Sequence, residues 1–282
     1  MEIIESVAAL RERLSSELSI CLVTTMGNLH AGHIHLVELA RQHGQCVVVS
    51  IFVNPLQFGP NEDLASYPRT PAEDFAKLEA AGADIVFTPT VDEMYPTPQT
   101  MMVTPPPIAS ELCGASRPGH FDGVATVVLK LFNIVLFNKT QPQAAIFGKK
   151  DFQQLFIVRE LVSQFNLPIH IIAGDTVREA DGLAMSSRNG YLDAAQRLEA
   201  PRLQKTLQLV VDAAKKTRGD YVGIEAQTAQ FLTQLGWGVE YISIRSANTL
   251  LPATAGDTAL IVLAAARQGR TRLIDNIEFN LD

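Results

Sequence analysis

Residues 24–33 read TTMGNLHAGH. The stretch follows the apolar run Ile20-Cys21-Leu22-Val23 and leads into IHLVELARQHG, whose apolar residues recur at helical spacing. A strand therefore hands over to a helix through a connection that holds two glycines and, three residues apart, two histidines. A connection needs only a turn, so imidazoles at that spacing raise the question of what they serve. Outward from this point, short β-branched runs alternate with helix-period segments. Strands are predicted at 20–24, 46–53, 84–89, 144–148 and 169–174. Helices are predicted at 33–43, 71–81, 122–138 and 151–166, the second with Pro71 at its first position after Thr70 as cap. Continuous apolar strands separated by helices imply βαβ crossovers and a parallel sheet covered on both faces. The expected class is α/β, with a Rossmann-like parallel sheet. Ligands of such sheets bind outside the carboxyl ends of the strands. The histidine stretch, NPLQFGPNED (54–63) and GKKD (148–151) all follow a strand, and should converge on one crevice.

After about residue 175 the texture changes. DTVREADGLAMSSRNGYL (175–192) is a long polar connection, followed by helices near 193–217 and 221–235. GVEYISIR (238–245), ALIVLAAA (259–266) and TRLIDNIEF (271–279) then follow one another without helices between them. Consecutive strands of this kind predict a small antiparallel sheet in a second, α+β domain. The expected boundary lies between 1–175 and 176–282.

The chain has 282 residues, 47% hydrophobic and 19% charged, with a formal net charge of −7. That is the composition of a globular protein with a real core. No lysine–arginine run offers a phosphate backbone a track, which speaks against nucleic acid. Cys21, Cys46 and Cys113 are an odd set without a CxxC pair, and the first two read as small core residues in a reducing compartment. MEIIESVAALRERL (1–14) is helical in period and lacks the basic and apolar regions of a signal peptide. No apolar stretch reaches membrane-spanning length; residues 94–110 are long and uncharged, but prolines forbid a helix there. Asn138-Lys139-Thr140 matches the glycosylation pattern, which a cytoplasmic chain would not use. The expectation is a cytoplasmic protein.

His30 and His33 lie at the start of a helix, where backbone N–H groups and the dipole favour an anion. Gly27 and Gly32 let the backbone approach a ligand. Two imidazoles there can donate to phosphate oxygens and stabilise developing charge. A pair of satisfied loop residues is one rival reading; a zinc site using His35 is another, though neither HExxH nor a cysteine pair is present. Placement between strand and helix puts phosphate first. The common phosphate motifs are absent: there is no GxGxxG, and QAAIFGKK lacks the first glycine and the Ser/Thr of a P-loop. In FGKKDFQQL (147–155) a lysine at a strand's carboxyl end suits a phosphate, Asp151 can cap the following helix, and Gln153 and Gln154 can reach only one of core or cleft each. GLAMSSRN (182–189) adds two hydroxyls, an arginine and an amide.

Taken together, TMGNLHAGH, VVVSIFVNPLQFGPNEDLASYPRT, RPGHFDGVATVV, FGKKDFQQL, READGLAMSSRNGYL and RLIDNIEF resemble the pantothenate synthetase (pantoate–β-alanine ligase) family of the HIGH-motif nucleotidylyltransferase superfamily. His30-Ala31-Gly32-His33 matches HxGH, and Met185-Ser186-Ser187-Arg188 stands where related synthetases carry KMSKS. Thr24, where the family usually has proline, and Lys149, where it has Glu or Gln, depart from the pattern. The resemblance implies ATP-dependent condensation of (R)-pantoate with β-alanine through a pantoyl adenylate, releasing AMP and pyrophosphate. It implies an ATP site formed by Met26, Gly27, Asn28, Leu29, His30, Ala31, Gly32, His33, Gly148, Lys149, Lys150, Asp151, Val177, Met185, Ser186, Ser187 and Arg188. In it His33 is the proton donor, His30 its phosphate-binding neighbour, and Lys150 and Arg188 face phosphates. Gln57 and Gln154 would hold pantoate, Gln57 also β-alanine. Residues 1–175 would bind ATP and pantoate, with 176–282 as a lid. Mg2+ would accompany ATP, with no side-chain ligand named, and the family is usually a homodimer. A nucleotidylyltransferase acting on a phosphate-bearing acceptor, a tRNA-synthetase fragment and a silent ATP-binding regulator are the alternatives.

Overall fold

A computed structural model of the chain describes residues 1–60, 62–136 and 143–281. The Asn138–Thr140 pattern and the last two positions of the helix predicted at 122–138 lie outside the described residues. The chain divides into two compact units, Met1–Ala109 with Arg117–Lys149 and Gln154–Asp175, and Ser110–Ser116 with Lys150–Gln153 and Thr176–Asp282.

The first unit holds a parallel sheet of six strands: β1 (Glu2–Ile4), β2 (Ile20–Thr25), β3 (Cys46–Ile51), β4 (Ile85–Phe87), β5 (Gln143–Gly148) and β6 (Ile169–Gly174). Between them run α1 (Val7–Leu14), α2 (Ala31–Ala40), α3 (Pro71–Ala81) and the short α4 (Val91–Met94). The single-turn α5 (Cys113–Ser116) belongs to the second unit; α6 (His120–Leu131) and α7 (Phe152–Gln164) follow it in the chain. Cys21, Val23, Val47, Val49 and Ile146 face Val37 and Ala40 of α2 and Leu78 of α3, while the alternate residues Leu22 and Val48 are just as fully buried. Each buried Val, Leu or Ile contributes about 1.5–3 kcal/mol, whereas strand propensity spans only about 1 kcal/mol. Burial on both faces therefore dictates these strands. Cys21 and Cys46 are among the buried residues, and desolvation pushes both thiols up to about 12.

The strand order is β1-β4-β3-β2-β5-β6. From β2 the chain builds outward through β3 and β4, then returns to place β5 and β6 on the other side of β2. The direction of winding reverses between β2 and β5, and a crevice opens at the carboxyl ends there. The three loops named from the sequence leave β2, β3 and β5, which are adjacent.

Two elements differ from expectation in this unit. The helical period predicted from Met1 holds only from Val7: Glu2–Ile4 forms the edge strand β1, with Ile3 opposite Val86. The Ser6 side chain accepts from Ala9 N and fixes the helix start there. The helix predicted at 122–138 ends as α-helix at Leu131 and continues as a π-helical turn over Phe132–Leu136.

The second unit carries α8 (Ala194–Glu199), α9 (Arg202–Lys216) and α10 (Tyr221–Gln234), then β7 (Gly238–Ser246), β8 (Ala259–Gln268) and β9 (Thr271–Asn280) in an antiparallel sheet of that order. Leu203, Leu207 and Val210 of α9 pack with Trp237, Val262 and Leu273. The single helix predicted at 193–217 is two helices, because Pro201 has no N–H to continue the ladder. Among the described residues no helix is long and apolar enough to cross a membrane.

Candidate active site

The β2–α2 loop is built from unusual backbone. Gly27 has φ 82° and Asn28 φ 50°, the left-handed region that glycine occupies freely and asparagine tolerates. A Cβ on Gly27 would also lie 3.1 Å from Ile51 Cγ2. The next two amides, Asn28 N and Leu29 N, donate to the Asp74 carboxylate of α3 at 2.8 and 2.7 Å. Thr70 stands before α3 as expected but makes no capping bond; its hydroxyl donates to Asp74 Oδ1 at 3.2 Å.

His30 is the N-cap of α2, and the two histidines form the capping box themselves. His30 Nδ1 accepts from Gly32 N at 3.1 Å, and His33 Nδ1 accepts from His30 N at 3.3 Å. Their ring centroids are 4.1 Å apart. An Nδ1 that accepts a backbone N–H bears no proton, so each neutral ring carries its proton on Nε2. The sequence named the pair; the fold adds that they cap α2 through their Nδ1 atoms, which leaves the proton of each neutral ring on Nε2.

The loop after β3 supplies the second group. Asn54 is buried, and its four hydrogen-bonding positions are engaged: Nδ2 donates to Gln57 Oε1 (3.2 Å) and Gly123 O (3.1 Å), while Oδ1 accepts from Tyr95 Oη (2.8 Å) and Leu56 N (3.3 Å). Burial pushes the Tyr95 phenol well above its ordinary value, which keeps it a donor. Because Gln57 Oε1 is the acceptor toward Asn54, its Nε2 is turned the other way, 3.1 Å from Met26 Sδ. Gln57 of the β3 loop and Met26 of the β2 loop are thereby brought together. Gly123 of α6 permits this approach, since a Cβ there would lie 2.3 Å from Leu56 O. His120 Nδ1 donates to Gln57 O at 2.8 Å, and its Nε2 receives Arg117 Nη1, whose guanidinium is paired with Glu62.

After β5, Lys149 pairs with Asp175 at 2.9 Å, so the positive charge that departs from the family pattern has a local counter-ion. Thr24, the other departure, lies within β2 opposite Ser50, a place that suits a β-branched residue. Gln154 is half-buried in the first turn of α7, whereas Gln153 is buried and bonded to Cys113 N and Glu111 O. Of the two glutamines, Gln153 serves the core.

The remaining named residues belong to the second unit. Lys150 is mostly buried, 3.9 Å from Asp151, and its carbonyl accepts from Asn276 Nδ2 at 2.9 Å. Val177 O accepts from Met185 N at 3.0 Å, so these two are neighbours across a tight hairpin. Ser186 caps the 3-10 turn Ser187–Tyr191 by accepting from Arg188 N. Arg178 clasps the hairpin: it holds Gly182 O and forms a bidentate pair with Asp275 of β9. RLIDNIEF is thus where Asp275 anchors the MSSR hairpin and Asn276 anchors Lys150. Asp74, Asn54, Tyr95, Arg178 and Asp275 were not singled out from the sequence. A carboxylate in a helix's first turn, or an Arg or Asp in a loop or strand, gives no sign of a partner distant in sequence.

A winding reversal beside β2, with two histidines capping the first helix beyond it, defines a Rossmann-like enzyme of the HxGH type. The profile of the pantoate–β-alanine ligase family matches residues 2–278. The pantothenate synthetase of Methylobacillus flagellatus is 71% identical over 281 residues, covering 100% of this chain and 99% of the relative. The crystal structure of pantothenate synthetase from Thermus thermophilus superposes with a TM-score of 0.90 at 41% identity, covering 98% and 99% of the two chains. That of the pantoate–β-alanine ligase from Francisella tularensis, complexed with beta-gamma ATP and β-alanine, gives 0.77 at 32% identity, covering 98% and 97%. The chain belongs to the pantoate–β-alanine ligase family, and is a ligase of that family.

Proposed function

We propose that the chain condenses (R)-pantoate with β-alanine at the expense of ATP, with pantoyl adenylate as intermediate and AMP and pyrophosphate as products. The observation that carries the reading is the His30–His33 capping box at the start of α2, with the Gln57 amide turned as a donor toward Met26 of the same β2 loop. Support comes also from the family and from the Francisella tularensis ligase, which holds a nucleotide and β-alanine.

A carboxylate is a poor acyl donor because oxide is a poor leaving group. A pantoate carboxylate oxygen therefore attacks the α-phosphorus, and the bond to the pyrophosphate oxygen breaks with its electron pair leaving on pyrophosphate. The β-alanine amine then attacks the acyl carbon, loses a proton, and AMP leaves. Catalysis of the first step is mostly positioning and neutralisation of charge. In this reading His33 is the donor to phosphate, giving a hydrogen bond through Nε2–H to the charge that develops there, and His30 binds phosphate beside it. Lys150 and Arg188 face phosphate oxygens. Met26–His33, Gly148–Asp151, Val177 and Met185–Arg188 line the nucleotide; Gln57 and Gln154 hold pantoate, and Gln57 also β-alanine. Among the described residues no three His, Cys, Asp or Glu side chains gather as a metal cage. Mg2+ would accompany ATP, keeping waters and phosphate oxygens as ligands, and would supply charge neutralisation there. The resemblance also supports a cytoplasmic homodimer.

The test is turnover with ATP, pantoate and β-alanine. Pantothenate, AMP and pyrophosphate should appear in equal amounts, and pantothenate should fail to form when any substrate is omitted. Nucleotidyl transfer to phosphate-bearing acceptors, with none to pantoate, would overturn the reading in favour of a nucleotidylyltransferase.

A further inference from the structure

We infer that Asp74, together with Lys77 one turn further along α3, is a positioning residue for the His30–His33 pair; this rests on the reading of those imidazoles as phosphate-facing donors. Asp74 is 1% exposed, and a carboxylate removed from water needs partners to offset the loss. It finds them in the two amides after Gly27 and in the Thr70 hydroxyl. Successive N–H groups around a left-handed turn form a nest that attracts anions. Here the nest is filled by the protein's own side chain, which serves to hold the loop.

Lys77 acts one residue further on. Its Nζ donates to Leu29 O at 2.8 Å. The peptide plane between Leu29 and His30 is consequently held at both ends: its carbonyl by Lys77, and its N–H by His33 Nδ1 at 3.3 Å. Rotating that plane breaks both bonds together. The N–H of His30 is also what keeps the proton off His33 Nδ1. Asp74 fixes the plane's approach, Lys77 fixes its direction, and the outcome is a His33 ring with Nε2–H presented. Neither residue needs to touch a substrate for this. The Lys77–Glu73 pair at 3.9 Å is exposed and adds little.

Nitrogen-15 spectra of the imidazoles, recorded on the whole protein, separate this role from plain structural support. In the wild type, His30 and His33 should both show an unprotonated Nδ1 and a protonated Nε2. Asp74→Asn places an amide N–H2 against a backbone N–H, and Lys77→Met removes only the Leu29 contact. In each folded variant the His33 signals should move toward a tautomer average. The adenylation kcat should fall about 10- to 100-fold, as loss of a group that orients a reacting one does, with pantoate affinity unchanged. A role in stability alone would lower Tm and leave the spectra and the kcat of folded molecules at wild-type values, and that result in either variant overturns the proposal. Should Asp74→Asn fail to fold, Lys77→Met decides by the same criterion. A wild-type protein inactive toward pantoate would defeat the proposed function while the imidazole spectra still judge the clamp.

Discussion

Replacing His33 with alanine should lower pantoate-dependent adenylation by roughly 10²–10³-fold, the usual loss when one preorganised donor to developing charge is removed. Lys150→Ala should fall in the same range. Neither change should unfold the protein. His33→Ala deletes one capping bond, from His30 N, at a cost of about 0.5–2 kcal/mol against the roughly 5–15 kcal/mol that holds an ordinary domain. Lys150 meets Asn276 through its carbonyl, so truncating its side chain leaves that anchor in place. Single-turnover rates, taken alongside circular dichroism, measure both effects. A folded His33→Ala protein that adenylates at the wild-type rate would remove His33 from the mechanism.

The second large effect concerns the choice of acid. An apolar pocket discriminates by only about 1–3 kcal/mol per methylene, whereas a buried hydrogen-bonding group rejects an analogue without its partner far more strongly. Gln57 is a half-buried group with its sense already set: Asn54 occupies its oxygen, so the N–H2 side, turned toward Met26 Sδ, is the one that can donate to a substrate oxygen. Losing a hydrogen bond to a charged group costs about 1.5–3 kcal/mol. Gln57→Leu and Gln154→Leu should therefore raise the pantoate KM roughly ten- to a hundredfold while ATP affinity stays nearly intact. Calorimetry gives the ATP affinity and turnover gives the pantoate dependence, on the same preparations. An unchanged pantoate KM in both variants, or an equal loss of ATP affinity, would show the pocket misplaced.

Much of the fold is legible in the sequence because its strongest signal, runs of buried β-branched residues, reports the dominant energy. Ile20–Val23 and Val47–Ser50, short apolar runs between helix-period segments, read as strands of a parallel sheet, and they are its adjacent central strands. The edge strand Glu2–Ile4 escaped because three residues carry too little pattern to compete with the helical period that follows. The break at Pro201 was masked by amphipathic spacing on both sides of it. The site divides in the same way. His30, His33 and Gln57 stand at strand ends and could be named; of the adjacent glutamines the resemblance already pointed to Gln154, and the fold adds that Gln153 is buried and spent on the backbone of Glu111 and Cys113. The histidine capping box was hidden, since the familiar signal is Ser or Thr followed by Glu or Gln. Asp74, Asn54, Arg178 and Asp275 act through partners from two residues to almost a hundred residues away, and nothing local distinguishes them from solvated side chains.

Exchange of labelled pyrophosphate into ATP, with pantoate present and β-alanine withheld, tests the adenylate mechanism most directly. Forming pantoyl adenylate requires no amine, so exchange should proceed with pantoate and ATP alone and stop when pantoate is left out. Exchange that appears only once β-alanine is added would contradict a discrete pantoyl adenylate.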